Sequence, residues 1–313
     1  MNKATRESFG EILAELGAQN ENIVAMDADL SKSTKSEKFA EKFPDRFFEM
    51  GIQEMNMIGT SAGLSFIGKI PFICSFAVFL TSRYDQIRMS IAFPKANVRL
   101  IGTHSGLAVG EDGNSQMGLE DISLMRSLPN MVIIQPADDI ETKEAIKYAI
   151  RHEGPIYFRL TRQKVPSINP ANYEFKPGKG VLLRPGTDAT LFVTGALVAP
   201  ALQAAQELEK EKVSLRIVNI HTIKPIDRDL IVQCARETGK IITAEDHSII
   251  GGLGSAVAEV LSEEHPALLL RIGVKDVFGE SGTPEALYHK YGFDPEGIKR
   301  QILEFIKKDF VRK

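Results

Sequence analysis

The chain lacks tryptophan and has few cysteines. Its two cysteines, Cys74 and Cys234, are too few and too far apart for a disulfide framework or a cysteine-based zinc site. A reducing compartment is therefore expected. No apolar run reaches the roughly 20 residues that a membrane span needs, and the N-terminus lacks the apolar core of a secretory signal. These absences predict a soluble, cytoplasmic protein with no targeting segment and no membrane partner.

An excess of charge of either sign is also missing. The chain has 38 basic and 41 acidic side chains, and its formal net charge is −3. This balance argues against a nucleic-acid-binding protein that depends on a broad basic surface. A hydrophobic fraction of 43% in 313 residues is ordinary for a globular protein. At roughly 100–200 residues per domain, this length predicts two or three domains.

Short apolar segments alternate with helical patterns in both halves of the chain. In the first half, strands are expected at 22–30, 71–76, 98–104, 131–138 and 155–160, and helices at 4–17, 53–65, 79–93, 118–127 and 139–152. In the second half, strands are expected at 189–195, 214–220, 240–246 and 268–274, and helices at 197–211, 227–238 and 254–264. Prolines and glycines mark 167–180 as a linker. The pattern predicts an α/β fold with two domains, 1–166 and 181–313, each a mostly parallel sheet flanked by helices.

Glu54 is the first residue whose surroundings suggest chemistry. It follows Met50 and Ile52 and precedes Met55 and Met57, so its carboxylate is expected at the start of a buried helix. A buried glutamate is costly to ionise and is usually paired or functional. The local sequence gives equal weight to a surface position on a helix.

Three further patterns allow either structure or function. Phe76 and Phe79 are three residues apart, which favours core packing but also suits stacking on a flat ligand. His104 ends a predicted strand before a polar, glycine-rich loop, where open α/β sheets bind ligands. Gly251 to Gly254 lie before a predicted helix but lack the full dinucleotide-binding spacing, so close backbone packing is favoured over a phosphate site.

Taken in order, these segments resemble the C-terminal half of a thiamine diphosphate-dependent transketolase. The resemblance covers essentially the whole chain and comprises a pyrimidine-binding domain followed by a transketolase C-terminal domain. It is carried by the motifs ATRESFG at 4–10, DADLSKS at 27–33, MGIQEMNM at 50–57, GTHSGLAVGEDG at 102–113, PNMVIIQPADDIET at 129–142 and LTRQ at 160–163. Their order and spacing together support the family assignment.

The resemblance implies catalytic and cofactor-binding residues. Glu54 matches the glutamate that hydrogen-bonds N1′ of the aminopyrimidine, and Glu54 and His104 are the implied catalytic pair. Phe76 and Phe79 match the aromatic wall beside the pyrimidine ring, and Asp29 is a further cofactor-binding candidate. The implied reaction transfers a two-carbon ketol unit from a ketose phosphate to an aldose phosphate through a carbanion on thiamine diphosphate.

The resemblance also implies a sugar-phosphate site. Two guanidinium groups and one hydroxyl would hold the phosphate through charge-assisted hydrogen bonds. The implied substrate-binding residues are Arg6, Ser33, His104, Asp112, Gln116 and Arg162. Gln116 departs from the family, since the loop reads Asn-Ser-Gln at 114–116 where transketolases usually have Pro-Thr-His, and an amide cannot act as acid or base near pH 7. The segment TSRYDQ at 81–86 is closer to the deoxyxylulose-phosphate synthase pattern.

One domain of the family is missing from the sequence. The diphosphate and its divalent cation are normally held by an N-terminal domain with a Gly-Asp-Gly motif, and GEDG at 110–113 falls within the pyrimidine-domain pattern instead. The resemblance therefore implies the C-terminal (β) subunit of a split-gene transketolase of the pentose phosphate pathway. It would be active only with an N-terminal (α) subunit, as a heterotetramer of two α and two β chains. The partner would ligate most of the Mg²⁺, and no metal ligand is expected in this chain.

Two alternative functions remain open. The same two domains form the β subunit of a 2-oxo acid dehydrogenase E1 component, and the deoxyxylulose-phosphate synthases are similar too. A lipoyl acceptor needs no site for a sugar phosphate, so Arg6, Ser33 and Arg162 argue against the dehydrogenase. A non-catalytic interaction subunit is the second alternative, and Gln116 is its only support.

Overall fold

The computed structural model describes residues 2–307, so positions 1 and 308–313 of the two predicted domains lie outside the described residues. In the first half, the strands are β1 Asn2–Ala4, β2 Ile23–Asp27, β3 Phe47–Glu49, β4 Ile70–Phe76, β5 Arg99–Thr103, β6 Val132–Ile134, β7 Ile156–Arg159 and β8 Lys164–Pro166. The helices are α1 Thr5–Gly17, α2 Ser31–Thr34, α3 Glu37–Lys42, α4 Glu54–Phe66, α5 Ala77–Thr81, α6 Tyr84–Gln86, α7 Asp121–Arg126 and α8 Asp139–Arg151.

The second half has the same alternating organisation. Its strands are β9 Val181–Arg184, β10 Ala189–Val193, β11 Leu215–Asn219, β12 Thr222–Lys224, β13 Lys240–Ser248 and β14 Leu268–Val274. Its helices are α9 Val198–Lys210, α10 Arg228–Thr238, α11 Leu253–Glu264, α12 Pro284–Tyr291 and α13 Pro295–Lys307. None of the helices in residues 2–307 is long and apolar enough to span a bilayer.

Two mostly parallel sheets organise the two halves. The seven-stranded sheet has the order β12-β6-β7-β5-β4-β2-β3, and β12 is its antiparallel member. The five-stranded sheet has the order β14-β13-β10-β11-β9, with β9 antiparallel. Both central strand sets are buried, as expected when helices cover both faces of a parallel sheet. The predicted α/β class with two sheets flanked by helices is confirmed.

Several local predictions hold because the capping chemistry is clear. The Asp138 carboxylate accepts a hydrogen bond from the Glu141 amide and caps α8, which lies where a helix was expected. α8 then presents Ala145, Ile146 and Ala149 to the core. Apolar residues at the same helical spacing of three to four positions form the buried faces of α9, α10 and α11.

Other predicted boundaries are wrong. The helix expected over 79–93 is divided into α5, α6 and a π-helical turn over Ile87–Ala92. The hydroxyls of Thr81 and Ser82 donate hydrogen bonds to the carbonyls of Ala77 and Val78. These side-chain bonds compete with the backbone bonds that would continue the helix. The helix expected over 118–127 begins only at Asp121, because Gly118 pairs with Ser105 as a β-bridge.

One strand crosses between the two halves. β12 follows β11 in the chain, yet it pairs with β6 in the first sheet. No strand was predicted there, and the strands β1, β3, β8 and β9 and the helices α2, α3, α12 and α13 were not predicted either. Strands of three or four residues carry too little periodicity to detect.

A buried network of polar groups joins the two halves of the chain. The Arg159 guanidinium donates to the Asp121 carboxylate, with an Nε–Oδ2 distance of 2.8 Å, and to the Asp246 carbonyl at 2.8 Å. The Asp246 carboxylate accepts from the Leu107 amide at 2.9 Å and from the Tyr288 hydroxyl at 2.7 Å. These bonds fix the start of the loop that follows β5. The C-terminal half therefore supports a loop of the first half.

Candidate active site

The predicted site residues lie mainly at one edge of the first sheet. β2, β4, β5 and β7 are parallel neighbours, so their carboxyl ends meet at the same edge. Asp29, Phe76, His104 and Arg162 follow or end these strands. Open α/β sheets bind ligands outside the carboxyl ends of their strands. The topology therefore gathers residues from four separate motifs.

Glu54 is the first residue of α4, and its side chain is buried. The residue is 5% exposed, whereas its neighbours Ile52 and Met55 are 76% and 52% exposed. Its Oε1 accepts a hydrogen bond of 3.1 Å from the Ser75 hydroxyl at the end of β4. Among the described residues, Ser75 is its only side-chain hydrogen-bond partner. A buried carboxylate with one oxygen held and one unpaired is suited to bind a polar group of a ligand.

A stack of three rings lies beside Glu54. The rings of Phe76 and Phe79 are parallel within 7°, with centroids 5.6 Å apart. The His104 imidazole stacks on Phe76 with centroids 3.7 Å apart. Phe76 and His104 are buried, and Phe79 is half-buried. Because Ser75 precedes Phe76, the backbone of β4 joins the carboxylate to the aromatic surface.

Arg6, on the first turn of α1, reaches across to His104. Its Nη1 donates to the Ser33 carbonyl at 2.7 Å and lies 3.0 Å from His104 Nε2. Its Nε is buried and has no hydrogen-bond partner. The structure thus brings Arg6, Ser33 and His104 together, although the contact uses the Ser33 carbonyl and not its hydroxyl. An unpaired guanidinium N–H at a site edge is suited to bind an anion.

Arg162 adds a second guanidinium at this edge. Burial and the nearby positive charges of Arg6 and Arg162 together lower the pKa of His104 to about 3. Burial and the charge of Arg162 also lower the pKa of Arg6. His104 is therefore neutral at physiological pH. Two cations close enough to perturb each other would be stabilised by an anionic ligand.

Asp112 and Gln116 lie on the loop after β5. Arg162 Nη1 donates to the Val109 carbonyl at 2.8 Å and to the Asp112 carboxylate at 3.1 Å. The Arg162 and Asp112 side chains are 38% and 47% exposed, so this pair is accessible. Gln116 contacts Ser115 at 3.3 Å and bonds to none of the other predicted site residues. Asp112 is thus bonded to Arg162, whereas Gln116 is not.

Asp29 is exposed and has a left-handed backbone, with φ of 64°. Its amide donates to the Glu49 carboxylate at 2.7 Å, while its own carboxylate bonds to none of the other predicted site residues. The loop around it is held by Asp27. The Asp27 carboxylate accepts from the Leu30 amide and the Thr34 hydroxyl, both at 2.6 Å. Burial raises the pKa of Asp27 to about 6.

The glycine turn before α11 has a structural role. The Glu245 carboxylate accepts from the amides of Leu253 and Gly254 at 2.7 and 2.8 Å. These amides are the donors that an anion would use at a helix N-terminus. A buried side chain of the protein occupies them, so the turn is closed to a phosphate. Close packing, the reading that the sequence favoured, is what the structure shows.

Three residues that were not predicted from the sequence contribute to the site. Ser75 contacts Glu54, Thr103 lies 2.9 Å from His104 Nδ1, and Asp27 anchors the loop that carries Ser33. Each is a small polar residue at the end of a buried strand, which is the available sequence signal. Within residues 2–307, no group of three or more His, Cys, Asp or Glu side chains is arranged to hold a metal ion.

Comparison with protein families covers both halves of the chain. Residues 1–167 match the family described as "Transketolase, pyrimidine binding domain". Residues 178–298 match the family described as "Transketolase, C-terminal domain".

Individual proteins are similar along the whole chain. A transketolase C-terminal section of Methanocaldococcus jannaschii is 46% identical over 311 residues, covering 98% of both chains. A 6-deoxy-6-sulfo-D-fructose transketolase subunit of Clostridium sp. is 40% identical over 308 residues, covering 98% of this chain and 96% of that one. Human transketolase is 38% identical over 309 residues, which are 97% of this chain but only 49% of the human protein.

A solved structure has nearly the same fold. It is a split-gene transketolase described as an inactive beta4 tetramer, and it is 50% identical to this chain with a TM-score of 0.90. The match covers 97% of this chain and 98% of that one.

Proposed function

Since the chain belongs to the transketolase family, we propose that it is the C-terminal (β) subunit of a two-chain transketolase. It transfers a two-carbon ketol unit from a ketose to an aldose when it is joined to an N-terminal (α) subunit. The single observation that carries this proposal is the buried Glu54 carboxylate, held by Ser75 and joined through β4 to the stacked rings of Phe76, Phe79 and His104.

These residues fit thiamine diphosphate. A buried carboxyl group suits the ring nitrogen of an aminopyrimidine, and a pair of parallel aromatic rings suits its flat face. When bound, thiamine diphosphate supplies the electron sink that ketol transfer requires. Glu54 would form a hydrogen bond to the pyrimidine N1′ through its free oxygen, away from bulk water. Asp29 is proposed as a further contact to the cofactor from the loop after β2.

The guanidinium groups define the substrate end of the site. Arg6 and Arg162 would bind the terminal anion of a sugar, with help from the Ser33 hydroxyl. His104, Asp112 and Gln116 would contact the sugar oxygens nearer the cofactor. A sulfonate has the same charge-assisted acceptors as a phosphate, and one similar protein is described as a sulfofructose transketolase subunit. The proposed substrates are therefore sugars with a terminal phosphate or sulfonate, such as those of the pentose phosphate pathway.

The partner subunit completes the enzyme in this proposal. It supplies the pocket for the diphosphate and most ligands of the Mg²⁺. The proposed assembly has two α and two β chains. The proposed domain limits are 1–166 and 181–313, with a linker at 167–180. Two buried free thiols, Cys74 and Cys234, support a reducing, cytoplasmic location.

The alternatives have less support. A 2-oxo acid dehydrogenase subunit has no use for the contact of Arg6 with Ser33 and His104 or for the adjacent Arg162. A non-catalytic subunit has no need of a glutamate kept dry at the start of α4. The comparisons favour neither alternative nor a deoxyxylulose-phosphate synthase-like enzyme.

Reconstitution tests the proposal. The chain is mixed with an α-type transketolase chain, thiamine diphosphate and Mg²⁺, and ketol transfer is followed by a coupled assay with a ketose phosphate and an aldose phosphate. Activity should appear only in the mixture. Glu54→Gln should abolish turnover while the two chains still copurify, whereas full activity of that variant complex would contradict the assigned role.

A further inference from the structure

A run of hydrogen bonds joins the arginine end of the site to Glu54. Arg6 Nη1 contacts His104 Nε2 at 3.0 Å, and His104 Nδ1 lies 2.9 Å from the Thr103 hydroxyl. The Thr103 hydroxyl donates to the Ser75 carbonyl at 3.3 Å, and the Ser75 hydroxyl donates to Glu54 Oε1 at 3.1 Å. Five residues from α1, β4, α4 and the end of β5 are thus linked, and at Ser75 the link passes from the main-chain carbonyl to the side-chain hydroxyl.

The first contact of this path fixes the position of one proton. A guanidinium has only donors, so His104 Nε2 must accept from Arg6. Neutral imidazole has one donor and one acceptor nitrogen, which assigns the proton to Nδ1. Nδ1 then donates to Thr103. In this state His104 has no Nε2 proton to offer to a ligand.

Thr103 can serve either tautomer. Its oxygen lies between the Ser75 carbonyl, which can only accept, at 3.3 Å and His104 Nδ1, which donates or accepts according to the tautomer, at 2.9 Å. When Nδ1 is protonated, the hydroxyl accepts from it and donates to Ser75. When Nδ1 is unprotonated, the same hydroxyl rotates and donates to it, because hydroxyl rotors adjust to their partners. The distance of 2.9 Å between the Thr103 oxygen and Nδ1 suits a hydrogen bond in either direction, so the backbone need not move when the tautomer changes.

Arg6 is the element that a ligand could displace. Its Nε is buried without a partner, and the positive charge of Arg162 lies near enough to lower its pKa. An anion between the two guanidinium groups would satisfy the orphan N–H and remove the repulsion. It would then compete with His104 Nε2 for the Nη1 donor.

We propose that Arg6, His104 and Thr103 form a tautomer switch: an anion drawn to Arg6 frees Nε2, and His104 changes from the Nδ1–H to the Nε2–H tautomer. The anion-binding part rests on the proposed function, in which this edge binds a sugar phosphate. No net charge is gained, since Nδ1 releases one proton to water and Nε2 takes one from water. The imidazole then offers an Nε2–H donor to the substrate only when the anionic end is in place.

The switch explains how the site selects substrates with a terminal anion. Without an anion, Arg6 blocks Nε2 of His104 and the ring cannot donate to a sugar oxygen. A neutral sugar of the same shape would have to displace Arg6 without replacing its hydrogen bonds. Thr103 and Arg6 are therefore positioning residues for His104, in addition to any direct contact that Arg6 makes.

Nitrogen-15 NMR of the full chain labelled at histidine tests this switch at pH 7.5. The chain has six histidines, and His104→Asn identifies the His104 signals. Inorganic phosphate is the probe, and its binding is followed independently by isothermal titration calorimetry. Without phosphate, Nε2 of His104 should give the shift of an unprotonated ring nitrogen. At saturation it should give the shift of a protonated one.

Variants separate the parts of the switch. Arg6→Ala removes the donor to Nε2, so the Nε2–H tautomer should dominate before phosphate is added. Arg6→Lys keeps a donor and should restore the response in part. Thr103→Ser keeps the hydroxyl, so phosphate should change the Nε2 shift of His104 as in the parent chain. Thr103→Val removes the hydroxyl, so phosphate should produce a smaller change in that shift. Circular dichroism of each variant confirms folding before its spectrum is compared.

The outcomes distinguish the switch from the proposed function. Phosphate binding with an unchanged His104 tautomer would overturn the switch and leave the anion site intact. Absence of phosphate binding at tens of millimolar would overturn both the anion site and the switch. A tautomer change in a chain that shows no ketol transfer with any α subunit would support the switch and contradict the proposed function.

Discussion

The bond between Ser75 and Glu54 gives a prediction that needs neither cofactor nor partner. Glu54 is 5% exposed and Ser75 is fully buried, so water cannot replace the hydroxyl when it is removed. A hydrogen bond to a charged group contributes about 1.5–3 kcal/mol to stability. The observed 3.1 Å is long for a hydroxyl–carboxylate bond. We therefore expect a coupling energy near the lower end, about 1–2 kcal/mol.

A double-mutant cycle measures this coupling. Urea unfolding is followed by far-ultraviolet circular dichroism for the parent chain, Ser75→Ala, Glu54→Ala and the double variant. The loss in the double variant should be smaller than the sum of the single losses by that coupling energy. Ser75→Thr keeps the hydroxyl and should retain most of the stability.

Ser61 provides the matched control. Like Ser75, it is a buried serine, and it lies on α4 together with Glu54. Its hydroxyl donates to the Ile58 carbonyl at 2.8 Å and not to Glu54. Ser61→Ala and Glu54→Ala should therefore add within about 0.5 kcal/mol. If the cycle with Ser75 is additive to the same degree, the carboxylate is not held by this hydroxyl and the site geometry is wrong.

Three further predictions concern substrate binding and stability. Arg162→Ala in the reconstituted enzyme should raise KM for phosphorylated sugars about tenfold or more with little change in kcat; Arg184→Ala, which removes a guanidinium paired in the second domain, should change neither, and an unchanged KM for both would contradict the phosphate site. Burial raises the pKa of Glu141 to about 7, so the folded chain keeps a proton that the unfolded chain loses above its usual 4.5, and stability should fall by about 3 kcal/mol as pH rises from 4.5 to 7. Glu141→Gln should flatten this pH dependence in urea unfolding, whereas Glu144→Gln, at a half-buried position of the same helix, should preserve it. Arg159→Met leaves a buried carboxylate unpaired and should cost about 3–5 kcal/mol in the same assay, and a loss below about 1 kcal/mol would show that the pair is dispensable.

The sequence indicated the class of fold because its signals were repeated and local. Strand β4 is a short, largely apolar run, and α8 begins with an aspartate cap. Signals of this kind lie within one segment of the chain, so they can be recognised without knowledge of the tertiary contacts. The divided helix after Phe76 was missed, because the hydroxyls of Thr81 and Ser82 compete locally with the backbone.

The site was only partly predictable for a different reason. Glu54 and His104 were identified by motif order, but the contacts that orient them join residues far apart in sequence. Arg6 lies 98 positions from His104, and Ser75 lies 21 positions from Glu54. Register between β4 and β5 pairs Phe76 with Thr103, which places the Phe76 ring against His104, and no pattern within one segment encodes that register. The closed glycine turn likewise depends on Glu245, which reaches it from β13.

Reconstitution with thiamine diphosphate binding as the readout tests the central claim most directly. Cofactor affinity is measured by isothermal titration calorimetry for the chain alone, an α-type chain alone and their mixture, with ketol transfer assayed in parallel. We predict that tight binding and turnover appear together only in the mixture, and that Glu54→Gln weakens binding and abolishes turnover without preventing assembly. Tight cofactor binding and turnover by the isolated chain, or an assembled parent complex that binds no thiamine diphosphate, would contradict the account.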